Sequence, residues 1–254
     1  GRRAFEGARS AVETNQPTQG RPDAEDAWLE AAKLEAAKES IAFVSLGWNP
    51  GTELALERLA LPAEPSPFSQ VRVRLEGVLR FLRTDFKDFF EVATTRQVPN
   101  TSLTMRRSYY HSFWEEGPGD DAAARGVHEK SIESFGQLAR SGRPKLFVHA
   151  AHAAEELGLV GELYKELSER FAGHVCLLVL VGGQPEPRLL SVEGNYSVVV
   201  QFIKEDAQAC ADGAAYCEPI RRSLDWVVGK PVQASVVPTF AALRELAATS
   251  EAVP

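Results

Sequence analysis

The sequence predicts an α/β protein with a Rossmann-like, mostly parallel sheet of about four to five strands flanked by helices. Short, wholly apolar runs at residues 41–44, 146–148 and 175–181 have the length of buried strands. Segments with helical apolar spacing lie between them, and Gly or Pro punctuates the joints. Strand, helix, strand is the order of βαβ units with right-handed crossovers.

The first 22 residues are polar, carry Gly, Pro, Gln and Thr without periodicity, and read as an extended arm. Residues 23–40 are rich in Ala, Glu and Lys, a helix-forming composition, with Ala27, Ala31 and Leu34 on one face. Residues 1–40 are therefore expected to form an arm and a helix, and 41–254 a single α/β domain. The first strand, 41–44, leads through Ser45-Leu46-Gly47 to a helix over 52–61. Asn49 or Thr52 is placed to cap that helix, and the prolines at 62, 65 and 67 follow it.

Val71, Leu75, Val78, Leu79 and Leu82 give helical spacing over 71–83, and 85–90 is an aromatic helix or turn. Residues 94–119 read as irregular. Val127, Ile132, Phe135 and Leu138 predict a helix over 122–140, stopped by Gly142 and Pro144. A second strand is expected at 145–150, a long helix at 153–171 weakened by Gly158 and Gly161, and a third strand at 174–181. A strand at 196–203, a helix at 219–228 and a last weak helix at 240–248 complete the reading.

The chain has 254 residues, 44% hydrophobic and 25% charged, with a net charge of -7. No domain-wide basic footprint is present, so nucleic acid is not an expected partner. No apolar run approaches the roughly 20 residues of a membrane-spanning helix. The chain is expected to be soluble, intracellular or organellar after removal of a targeting segment. The three cysteines, Cys176, Cys210 and Cys217, are too few and odd in number for a disulfide scaffold. Cys176 sits in an apolar run. Cys210 and Cys217 are read as free thiols, with pairing in an oxidising compartment as the alternative.

Ser45-Leu46-Gly47-Trp48-Asn49-Pro50 follows the first strand, then come Leu56, Arg58, Leu59 and Leu61, then Pro67-Phe68-Ser69-Gln70, then Asp85-Phe86-Lys87-Asp88-Phe89-Phe90. This ordered set resembles the family of putative papain-like cysteine peptidases, whose pattern is a strand into Ser-Leu-Gly-x-x-Cys, a Leu-rich helix and Pro-Phe-Asp-Trp. His111, in Tyr110-His111-Ser112-Phe113, resembles that family's His-containing segment, and residues 145–149 resemble its second strand. The resemblance implies a cysteine nucleophile at a helix N-terminus, where backbone N–H groups and the helix dipole lower a thiol pKa. Here that position is Pro50, which has no thiol, hydroxyl or N–H. Proline fits the first turn of a helix, so it preserves the backbone path while deleting the chemistry. None of the first 175 residues is a cysteine. The Asp-Trp positions are Ser69 and Gln70.

Ser45 and Ser69 are possible replacement nucleophiles, but no Gly-x-Ser-x-Gly elbow surrounds either, so structural roles are expected. Gly47, Asn49 and Gly51 stand between a strand and a helix, where an anion can bind. The Gly-x-Gly-x-x-Gly pattern is absent there. His111 is a pocket candidate. His149 and His152 are three apart without sharing a face, and Glu155 and Glu156 suit a solvated helix start better than a metal set. No metal or cofactor is expected. Arg106, Arg107, Tyr109, Tyr110, Phe113 and Trp114 form a basic-aromatic cluster, read either as a partner-binding surface or as a packed loop. The expectation is a catalytically inactive relative of the peptidase family, acting as a binding or structural subunit with other protein subunits. Ser45, Gly47, Asn49, Pro50, Ser69, His111 and His149 are its vestigial pocket. The alternative is a transferase-like enzyme acting on a sugar or nucleotide at the C-terminal edge of the sheet.

Overall fold

A computed structural model describes residues 32, 35–117, 121–205, 209–227 and 233–250. The expected arm over 1–22 lies outside these residues. Of the helix expected over 23–40, residues 32 and 35–40 are described and helical.

Six strands form the larger sheet in the order β1 (Ala42–Ser45), β6 (Lys145–Ala151), β7 (Val175–Val181), β9 (Asn195–Phe202), β8 (Arg188–Val192) and β10 (Ser235–Val237). β1, β6, β7 and β9 run parallel to one another, and β8 runs antiparallel to β9. The count exceeds the expected four to five because β8 and β10, short and partly exposed, carry too little apolar signal to read in the sequence. Strand order proceeds away from β1 without the reversal at which a doubly wound sheet opens its ligand crevice.

β6 and β7 are buried along their whole lengths because both sheet faces are covered. Leu146, Val148, Leu178 and Leu180 pack with α1 (Gly51–Arg58) and α5 (Ala214–Val227) through Leu56, Ile220 and Leu224. The alternate residues Phe147, Leu177 and Val179 pack with α2 (Leu75–Arg83), α3 (Asp121–Arg140) and α4 (Val160–Arg170) through Leu79, Phe135 and Leu163. The two-residue period of a strand thus feeds both layers.

A second, antiparallel sheet, in the order β2 (Val71–Val73), β5 (His111–Glu116), β4 (Leu103–Arg107), β3 (Thr94–Gln97), occupies the stretch expected to be irregular. Residues 71–73 are its first strand rather than the start of a helix. Val71 and Val73 point into the core and Arg72 outward, and Arg74 is extended before α2 begins. β-branched residues alternating with an arginine satisfy a half-buried strand.

The long helix expected at 153–171 divides into a 3₁₀ turn (Ala154–Leu159) and α4. α5 begins at Ala214, five residues before the expected start at Pro219. Asp212 accepts a hydrogen bond from the Ala214 N–H and starts the helix upstream, leaving Pro219 inside it. α6 (Phe240–Ser250) packs on the 3₁₀ turn, and Gly161 at the start of α4 leaves room for the Phe240 ring. Cys176, Cys210 and Cys217 are all free thiols.

Candidate functional site

The turn after β1 is a hydrogen-bonded junction. The Ser45 hydroxyl is buried and shares a 2.6 Å hydrogen bond with the Thr52 hydroxyl, tying the strand end to α1. Gly47 has a φ of 85°, and a Cβ there would lie 2.7 Å from the Phe68 carbonyl oxygen and 2.9 Å from that of Val71. Replacing Gly47 with alanine should therefore destabilise the fold by about 2 kcal/mol, from left-handed strain and backbone crowding together. Chemical denaturation reads that loss; an unchanged midpoint would refute the close approach.

Trp48 also has a positive φ, 80°, uncommon for a bulky residue. Its indole lies over the His152 ring, with centroids 3.8 Å apart. Asn49 is buried; its side-chain carbonyl accepts from the Gly51 N–H at 2.8 Å and its amide donates to the Tyr216 hydroxyl at 3.3 Å. Pro50 takes a helical φ of -68° and its carbonyl accepts from the Leu54 N–H, so α1 starts without a proline donor. The ring of Pro50 is exposed and borders a hollow of about 470 Å³ together with Glu53, Glu57, Gln70 and Trp114. Burial, and then the charge of Glu57, push the Glu53 carboxyl above its ordinary range. Ser69 is buried in the turn before β2, where its N–H donates to the Ser66 carbonyl.

His149 lies in β6 and is fully buried. Its Nδ1 is 3.4 Å from the Leu46 carbonyl and its Nε2 3.3 Å from Glu156 Oε2. Glu156 is buried, contrary to the solvated helix start expected for it. Its Oε2 also accepts from the Leu75 N–H at 2.6 Å, and its Oε1 from the N–H groups of His152 at 2.7 Å and Ala153 at 3.0 Å. Burial raises this carboxyl, but the His149 hydrogen bond and charge, with the Leu75 and Ala153 N–H groups, together hold it below the ordinary carboxylate range. Glu156 caps α2, whose own N-cap residue Arg74 makes no side-chain capping bond. With both ring nitrogens of His149 facing acceptors, neither is available to a substrate.

His111 points to the inner face of the antiparallel sheet. It stacks on Phe89 at 4.9 Å, edge-on to Phe81 and Phe113, and is 4% exposed. Neither ring nitrogen has a hydrogen-bond partner among the described residues. Burial pushes its pKa down to about 4, against a weaker opposing influence of the Phe89 backbone. His111 and His149 therefore sit in separate parts of the core, and the seven vestigial-pocket residues do not converge on one cavity.

The basic-aromatic cluster divides by strand alternation. Phe113 and Arg106 face inward, where Arg106 meets Glu115 at 2.6 Å. Arg107 and Trp114 face outward and, with Tyr109 and Tyr110 from the β4–β5 turn, line an open cleft of about 820 Å³. Arg72, Arg74 and Arg96, which the sequence reading did not single out, line it as well, beside Trp48 and Met105. The signal for Arg72 was the Val-Arg-Val alternation. Burial lowers the pKa of His152, and the nearby positive charge of Arg74 lowers it further.

Among the described residues no cluster of His, Cys, Asp or Glu could hold a metal ion, and no helix is long and apolar enough to cross a membrane. No curated protein and no solved structure matches the chain. From β1 to the end of the antiparallel sheet, residues 41–118 match the family of putative papain-like cysteine peptidases, and it is to that family that this stretch of the chain is similar.

Proposed function

We propose that the protein is a catalytically inactive relative of that peptidase family, working as a binding subunit alongside other protein subunits. The observation that carries this reading is the hydrogen-bonded junction at residues 45–52, whose polar side chains are taken up by one another. The Ser45 hydroxyl is tied to Thr52, Trp48 closes over His152, and the resemblance puts Pro50 where the family carries its nucleophile. The outer face of the antiparallel sheet is the binding surface. It offers Arg107, Tyr110 and Trp114, with Tyr109 86% exposed at the rim. The Rossmann-like reading of the larger sheet rests on its βαβ crossovers alone.

A direct test restores the thiol. The Pro50→Cys variant should be labelled by iodoacetamide yet hydrolyse no fluorogenic peptide amide. Among the described residues no imidazole borders the hollow beside residue 50, and Glu53 and Glu57 there oppose thiolate formation. Turnover by the wild type would overturn the inactive reading, whereas turnover appearing only with the cysteine would show that the proline alone silences the site. Native mass spectrometry of the protein isolated from its own source should show a heteromeric complex that Arg107→Ala or Tyr109→Ala weakens. A strictly solitary monomer would refute the subunit role.

A transferase-like enzyme acting on a sugar or nucleotide remains as a second reading, because the arginine cleft adjoins the C-terminal ends of β1 and β6 through Trp48 and His152.

A further inference from the structure

We propose that the cleft between Trp48 and the outer face of the antiparallel sheet binds a nucleoside di- or triphosphate, its phosphates on Arg72, Arg74, Arg96 and Arg107 and its base on the aromatic wall. The inference rests on the reading of this face as a binding surface, and it adds the ligand.

Register explains why the arginines gather. Arg72 pairs with Ser112 on one side and Arg107 pairs with Ser112 on the other. The two arginines therefore share a sheet face, about 10 Å apart, two strand spacings. Arg96 pairs with Met105 and Met105 with Trp114, so Arg96 stands on the same face, diagonal to Arg107. Arg74 adjoins from the start of α2.

Like charges gathered on one sheet face oppose one another. Most other arginines of the described residues, among them Arg58, Arg80, Arg83, Arg106, Arg143 and Arg170, have a carboxylate within 4 Å. Among the described residues none of these four does, and the described lining of the cleft holds a single carboxylate, Glu76. A chain with net charge -7 thus concentrates uncompensated guanidinium groups in one concavity.

Guanidinium forks match phosphate oxygens two at a time, and a di- or triphosphate brings three to four negative charges in a compact group. The cleft volume of about 820 Å³ falls in the range of small-molecule sites. Trp48 and Tyr110 supply ring faces for a base. Trp114 carries the Arg72 guanidinium 3.8 Å over its ring, which fixes the plane of that phosphate-binding group. The left-handed backbone of Trp48 holds its indole at the opposite wall, and strain of this kind collects at ligand sites.

Titration calorimetry on the full chain, with ADP, ATP and pyrophosphate as probes, tests the assignment. ADP and ATP should bind saturably and weaken as salt rises, with pyrophosphate about tenfold weaker because it lacks the base. The Arg96→Ala/Arg107→Ala variant removes two exposed side chains and should keep its fold by circular dichroism while losing at least about tenfold in affinity. Absence of saturable ADP and ATP binding, equal affinity for pyrophosphate and ADP, or unchanged ADP binding by the double variant would each overturn the proposal. If nucleotides fail while the heteromeric complex persists and is lost in the same variant, the arginines serve a protein surface. In that case the ligand falls and the subunit reading stands.

Discussion

Replacing Glu156 with alanine is expected to destabilise the protein by about 3–5 kcal/mol, the range for removing one member of a buried charged network. Four donors would lose their acceptor together: the Leu75, His152 and Ala153 N–H groups and the His149 ring. The four donors come from three pieces, so the carboxylate joins β6, the entry to the 3₁₀ turn and the start of α2. A Glu156→Gln variant keeps one acceptor oxygen and should lose distinctly less. The pH dependence has a definite sign. Because the folded carboxyl is held below its ordinary value of 4.5, its contribution is fully present above that value and is lost as pH falls through the folded pKa. Urea unfolding of wild type and Glu156→Ala at neutral pH and near pH 3 measures both effects. A loss below about 1 kcal/mol at neutral pH would show that the network is dispensable.

The parallel core was legible in the sequence because its strands are buried on both faces and leave uninterrupted apolar runs. Residues 42–45, 145–151 and 175–181 lie within a residue or two of their expected bounds. The antiparallel sheet was not legible. β3 has every side chain exposed, and β4 and β5 mix Arg, Glu and Ser with aromatics, so no apolar run marks them. Their stability comes from cross-strand neighbours and from one face packed on Phe81 and Phe89, which are distant in sequence.

The candidate site shows the same division. The backbone of the Pro50 turn could be read because the signal is local: the fixed φ of proline suits a first helical turn, and α1 starts there. Glu156 could not. A Glu beside another Glu before an apolar run suits a solvated helix start, and the partner at residue 75 is a backbone N–H that no pattern announces. The arginine cleft was half visible. Arg107, Tyr109, Tyr110 and Trp114 form a dense cluster in the chain, but Arg72, Arg74 and Arg96 reach it only through register.

Acid should unfold this protein early, and His111 should be a main cause. Its ring is enclosed by Phe81, Phe89 and Phe113, and burial lowers its pKa from 6.5 to about 4. In the unfolded chain the same side chain takes up a proton near 6.5. Between those values the unfolded state binds more protons, so stability falls as pH falls, by about 3 kcal/mol over the full interval. The contribution is intact above pH 6.5 and gone below about 4. His111→Phe removes the titrating group and two buried nitrogens that lack partners. The added ring volume sits against other aromatic edges and costs about 1 kcal/mol or more in overpacking, offset by the polar atoms removed. The variant should therefore match wild type within about 1 kcal/mol at pH 7 and exceed it near pH 4.5 by about 2 kcal/mol, the Glu156 contribution being common to both. Unfolding midpoints measured from pH 7.5 down to 4 give the two curves. If the variant and wild type decline in parallel, the acid sensitivity arises elsewhere, and His111 is protonated in the folded core at little cost.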